Sequence, residues 1–232
     1  MVWAILVHVF DTDLSALDAS ALLVEAERAR AIADAAEVHV LRLAAHWADL
    51  HAVVERVGPA LPGSERLVRL GGAGTPEVAE FAAAELGAEL GTSTHAGQAL
   101  IADALDLRHR LPLLWAQVVA GEVKPWLARK AAQATRHLSL DLVAEVDPVL
   151  ARYADRLSWG RIDGLIAATW KRLDPAGAAQ AETVARDEMG VWLSPRREHG
   201  VATLFARLEL LDGYAALGDT RGRTSGGPPR WG

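Results

Sequence analysis

The chain has 232 residues, a net charge of −6, no cysteine and apolar side chains at 51% of its positions. That apolar share can build a sizeable core and excludes disorder for most of the chain, while the lack of cysteine excludes disulfides and thiolate metal sites. The negative balance argues against indiscriminate binding of polyanions.

The N-terminal stretch Met1–Phe10 is apolar, but it is about half a membrane span and has no basic flank before Asp11 and Asp13. It reads as neither anchor nor leader, so a soluble, cytoplasmic chain without membrane contact is expected. From Leu22, apolar residues recur at Leu22, Ala26, Ala29, Ala33, Ala36, Val40, Leu43, Trp47, Leu50, Val54 and Val57. This 4,3,4,3 spacing keeps one seam on one side of a long helix, which Ser15 or Asp18 can cap and Gly58-Pro59 can end. The Ala-rich seam suits a close antiparallel partner helix, either inside the chain or, as a homo-oligomer contact over residues 22–57, in another copy.

Residues 58–76 carry Gly58-Pro59, Pro62-Gly63, Gly71-Gly72-Ala73-Gly74 and Pro76 and read as a linker. The glycine cluster lacks the Lys-Ser/Thr that follows a phosphate-binding loop, so no nucleotide cofactor is expected. Helices are predicted over 77–90, 93–109, 111–120, 124–137, 140–156, 158–173 and 175–189, broken at Gly91, Gly121, Ser139, Ser158 and Asp174-Pro175. Val191–Pro195 and Val201–Leu208 flank a polar turn and predict a β-hairpin. Val201, Thr203, Phe205 and Arg207 share its helix-facing side. Beyond Gly218 the composition predicts a disordered tail. The fold class is therefore mainly α: a multi-helix bundle with one long N-terminal helix and a C-terminal β-hairpin. Its segments are 1–57 (the seam helix), 58–76 (the linker), 77–217 (the bundle and hairpin) and 218–232 (the tail).

Charge is distributed unevenly. Residues 1–90 carry 14 acidic against 6 basic side chains, whereas residues 106–174 carry 8 against 11. Two helices meet there at Gly121, and the second holds Lys124, Arg129, Lys130, Arg136 and His137 with no acidic residue until Asp141. A helix-turn-helix reader presents its second helix in this way, and cations near phosphates add salt-sensitive affinity. The alternative is an ordinary helical hairpin with a solvated basic face. Candidate DNA contacts are Lys124, Arg129, Lys130, Arg136 and Arg161, with residues 124–137 as the core of the surface.

The histidines show no metal-ligand spacing; His46 and His51, five apart, diverge on a helix. Ser93, Thr94 and His95 fit a helix start rather than a nucleophile. Trp115, Trp126, Trp159 and Trp170 are expected as core fillers. No catalytic residue, metal site or cofactor is expected.

A resemblance rests on Phe81–Ser93, Ala104-Leu105, Leu111-Pro112, Ala120–Val123 and Gly200–Leu208. These segments resemble domain of unknown function 222, an actinobacterial family that includes the mycobacterial repeat proteins and commonly precedes an HNH endonuclease module. The resemblance covers roughly residues 17–220 and implies a helical domain with a nuclease association but no activity of its own. Family members continue past the segment matched by Gly218-Asp219-Thr220-Arg221, whereas this sequence departs there. With GC-rich codons, a shifted frame from Arg223 would read Asp-Gln-Arg-Arg-Ala-Ala-Ala-Leu, close to the family sequence, so a frameshift near Arg221–Arg223 is expected. The expected function is a non-catalytic accessory or DNA-targeting domain of an HNH-type protein, truncated before the nuclease module. A helical protein-interaction or oligomerisation module without nucleic-acid binding is the alternative.

Overall fold

The computed structural model describes residues 13–54, 63–198 and 201–209, without the side chains of 195–198. The apolar N-terminus, Val57 with Gly58-Pro59, and the tail where a frameshift is expected lie outside the described residues. Among the described residues, a short 3-10 turn at Leu14–Ala16 is followed by eight α-helices and two antiparallel strand pairs. They are α1 (Ala19–Leu50), β1 (Leu67–Val68), β2 (Val78–Ala79), α2 (Ala82–Glu89), α3 (Thr94–Arg110), α4 (Pro112–Val119), α5 (Pro125–Thr135), α6 (Leu140–Tyr153), α7 (Trp159–Leu173), α8 (Pro175–Asp187), β3 (Gly190–Glu198) and β4 (Val201–Arg207). The chain is mainly helical, as its composition implies. No described helix is long and apolar enough to cross a membrane.

Helix boundaries follow local chemistry. Asp18, Ser93, Ser139 and Asp174 each accept a backbone N–H of the first turn of α1, α3, α6 and α8, which satisfies one of the donors that a helix start leaves open. Gly91 and Gly121 sit at φ +65° and +78° after α2 and α4, a backbone geometry that a side chain disfavours.

The chain forms two compact units that divide between Thr169 and Trp170, inside α7. In the first, α3 is the central helix and packs against α1, α2, α4, α5 and α6. Its core is small and aliphatic: Leu41, Ala44, Ala83, Ile101, Leu105, Leu107, Leu114, Val118, Ala128, Ala131, Val143 and Ile162 are almost fully buried. None of Trp115, Trp126, Trp159 and Trp170 is buried. Trp126 is exposed and the other three are half-buried, while Leu, Ile, Val and Ala fill the core, which corrects the expectation that the indoles fill it.

The long helix differs from its sequence reading in two respects. It stops at Leu50 because His51 leaves the helical path: its Nδ1 lies 2.8 Å from the Trp47 carbonyl, and its own carbonyl accepts the Ala79 N–H at 2.8 Å. Its buried side is Val38, Leu41, Ala44, Ala45 and Ala48, whereas Leu22 is 42% exposed and Leu43 50% exposed, and Ala26, Ala33 and Ala36 are exposed. At about 100° per residue, the seam lies roughly 120° around the helix from the packed side. Alanine on several faces leaves periodicity unable to say which row the bundle takes. No residue between Ala19 and Glu37 is buried.

Residues 63–76 are more ordered than a linker. Leu67 and Val68 pair antiparallel with Ala79 and Val78, and Thr75 is buried.

The second unit holds α8 and the β3–β4 hairpin. Their antiparallel register places Trp192 opposite Phe205 and Leu193 opposite Leu204, with an irregularity before Arg197. The face expected to lie on helices is open instead: Val201 is 70% exposed and Phe205 57% exposed. Ala178 is the one buried side chain of α8, so this helix provides no apolar layer for the hairpin.

Candidate functional site

The most charged part of the interior lies where α3 meets α5. Asp103, Asp106 and Arg110 project from successive turns of α3, and their side chains are fully buried. Arg129 and Gln133 of α5 and Arg136, the residue that caps its C-terminus, stand at i, i+4 and i+7 and so share one face. Asp103 receives the Arg129 Nε at 2.8 Å, the Gln133 amide at 2.9 Å and an Arg136 terminal nitrogen at 2.7 Å. Asp106 receives the Arg136 Nε at 2.6 Å, Arg110 at 3.2 Å and the Gly72 backbone N–H at 2.7 Å. A buried carboxylate is tolerable only with such partners, because the interior offers no water to replace them.

Arg110 turns this cluster into a helix terminator. Its guanidinium donates to the carbonyls of Thr135, Arg136 and Leu138 at 3.2, 3.3 and 2.6 Å, at the end of α5 where helical carbonyls lack intrahelical donors. Gly72 closes the far side. A Cβ there would stand 2.0 Å from Arg110 Nη1, so the glycine cluster is a packed lid on an ion pair. Asp147 of α6 plays the converse part, accepting the N–H groups of Leu113 and Leu114 at 2.8 and 3.0 Å at the start of α4. Burial raises its pKa, and these two hydrogen bonds oppose the shift.

The predicted cationic surface is divided by this arrangement. Arg129 and Arg136 face inward onto Asp103 and Asp106, with 37% and 30% of their side chains exposed. Burial opposes the charge of Arg136, yet hydrogen bonds to Asp106 and Asp103 carry its pKa above the ordinary guanidinium value. Lys130 points outward, with Nζ 5.6 Å from the Trp126 ring and 5.5 Å from the Trp159 ring. Lys124 precedes α5 and lines a groove of about 580 Å³ together with Asp34, His39, Arg42 and Glu122. Arg161 is exposed on the first turn of α7. The structure therefore joins Arg129 to Arg136 through buried acids and Lys130 to two indoles, but it does not gather all five cations on one surface.

Sequence reasoning missed Asp103, Asp106, Arg110 and Asp147. The signal was present in Leu100–Arg110, where two aspartates and an arginine at i, i+3 and i+7 interrupt an otherwise apolar helix. Elsewhere, His51 stacks on Trp47 with centroids 4.1 Å apart, and the Trp47 indole N–H donates to the Ala82 carbonyl at 2.8 Å. Among the described residues no three histidines or carboxylates are grouped to hold a metal ion.

The family described as domain of unknown function (DUF222) matches residues 39–215. This chain belongs to that family. The DUF222 match begins one residue after Val38, the first buried position of α1, so the unburied first half of this helix precedes the matched region. No curated protein and no solved structure matches the chain.

Replacing Asp106 with Ala should cost about 3–5 kcal/mol, the usual price of leaving buried cations without their partner, and Gly72→Ala should also lower stability through its clash with Arg110. Urea unfolding followed by tryptophan fluorescence measures both; a loss under about 1 kcal/mol for Asp106→Ala would show that the cluster is solvated.

A second expectation concerns pH. His109 and His137 have lowered pKa values, caused first by burial and then by the neighbouring Arg108 and Arg110 respectively. The unfolded chain therefore takes up these protons first as pH falls, so their contribution to stability is intact above about 6.5 and declines below it. The urea midpoint is expected to drop between pH 7.5 and 5.5, and to drop less in a His109→Gln, His137→Gln double variant.

Proposed function

We propose that this DUF222 chain is a non-catalytic helical interaction domain, accessory to an HNH-type nuclease module, whose docking surface is the seam of α1. The observation that carries this reading is the unburied stretch from Ala19 to Glu37, in which an apolar row continues although the bundle packs against a different side of the same helix. An isolated helix of that length is marginal in water, and partner packing is the usual source of its stability. The interior charges of α3 and α5 are engaged with each other, which leaves binding rather than bond-breaking as the work this surface supports. The nuclease association and an actinobacterial origin come from the family resemblance.

If the seam is a docking surface, Ala33→Glu and Leu43→Glu should leave the cooperative unfolding of the bundle within about 1 kcal/mol of the parent, because both positions are exposed. Loss of the folded baseline in tryptophan fluorescence for both variants would mark the seam as internal packing and end this reading.

A second reading, DNA targeting, keeps one specific support: Lys130 lies beside two indoles, and Trp126 is 40% exposed. Aromatic faces and cations together suit nucleic acid. Binding of this kind should weaken with salt along a straight log-log line whose slope becomes shallower by about one in Lys130→Ala. Salt-independent binding, or none at low salt, counts against it.

A further inference from the structure

Building on the docking role of the α1 seam, we infer that its occupant is a second copy of this chain, with the two α1 helices antiparallel and Ala33 of each against Ala36 of the other. The seam forms the two core rows of a heptad pattern, Ala26, Ala33, Val40 and Trp47 in one and Leu22, Ala29, Ala36, Leu43 and Leu50 in the other. Antiparallel pairing about the Ala33–Ala36 layer sets Ala26 opposite Leu43 and Ala29 opposite Val40, then repeats both layers through the two-fold axis. Over this span, Ala26 to Leu43, each large side chain meets a small one; the pairing ends there, because the next layer would set Leu22 against Trp47, which its own bundle holds through the Ala82 carbonyl. Parallel pairing in register stacks Ala26, Ala29, Ala33 and Ala36 each on itself, leaving four thin layers in succession.

The flanking positions agree with the antiparallel arrangement. Arg30 meets Glu37 of the second copy, Glu25 meets His46 and Ile32 meets His39, and the two-fold axis doubles every pair. No like charges oppose each other. Arg30 already reaches along the helix surface to Asp34 at 2.5 Å, so in the pair it would be shared between Asp34 and the incoming Glu37. A parallel pair also joins opposite charges, Glu25 to Arg30, so charge alone does not select the direction; the layer sizes and opposed helix dipoles do. The helix buries Val38, Leu41, Ala44, Ala45 and Ala48 against the bundle and Trp47 donates to the Ala82 carbonyl, so the side left for a second copy runs from Ala26 to Leu43.

Sedimentation velocity of the full chain across micromolar concentrations tests the pairing. A reversible dimer is expected. Glu37→Arg should weaken it about tenfold by replacing two attractive pairs with two repulsive ones, and adding Arg30→Glu should restore it. Because the chain has no cysteine, direction can be read by mild oxidation of introduced thiols. Ala26→Cys mixed with Leu43→Cys should give a disulfide-linked heterodimer, while neither variant should link to itself. Self-linking of each variant would establish a parallel pair and overturn the inference. So would a monomer at every concentration, although that result would leave the exposed seam standing if Ala33→Glu and Leu43→Glu remain folded; unfolding of those variants removes the docking role itself.

Discussion

Asp103 and Asp106 occupy the centre of the helix that most others touch, and a carboxylate without solvent must be met by donors at short range. That requirement fixes much of the first unit. It draws the Arg129–Gln133–Arg136 face of α5 onto α3, sets the rotation of both helices, and brings the Gly72 amide down onto the pair. Arg110 extends the arrangement to the end of α5 by receiving its last carbonyls. Small aliphatic side chains fill the surrounding volume but could pack in several registers; charged groups of fixed geometry permit fewer.

The same constraint alters how the basic region of the sequence is understood. A run of cations without nearby acids in the sequence suggests a surface open to polyanions, yet the compensating acids lie about thirty residues earlier, on another helix. Arg129 and Arg136 serve the interior, and Lys130 keeps an outward position beside tryptophan. Charge counted along a sequence is therefore a weak guide to surface charge when the partners are distant. The exposed apolar surface lies elsewhere, on the Ala-rich side of α1 before the bundle takes up Ala44 and Trp47.

Much of the architecture was legible because it is local. Ser93, Ser139 and Asp174 announce helix starts through their own oxygens, Gly91 and Gly121 announce turns through their backbone freedom, and the hairpin follows from two apolar runs around a polar turn. What escaped depends on distant contacts. The end of α1 is set by a hydrogen bond from Ala79 to His51, and its buried row by α3. The glycine cluster looked like a linker because nothing in its own composition reveals Asp106 and Arg110 beneath it. The tryptophans misled for a similar reason: helical spacing shows that they share faces, but not which of those faces the bundle buries.

The β3–β4 ribbon has a further consequence. Among the described residues this sheet has two strands, so each is an edge, and Val191, Leu193, Leu204 and Phe205 are exposed on it. Such a ribbon is a template for unplanned strand addition. An exposed ribbon of this kind would tie colloidal behaviour to a different segment from the buried ion pairs that fix the first unit.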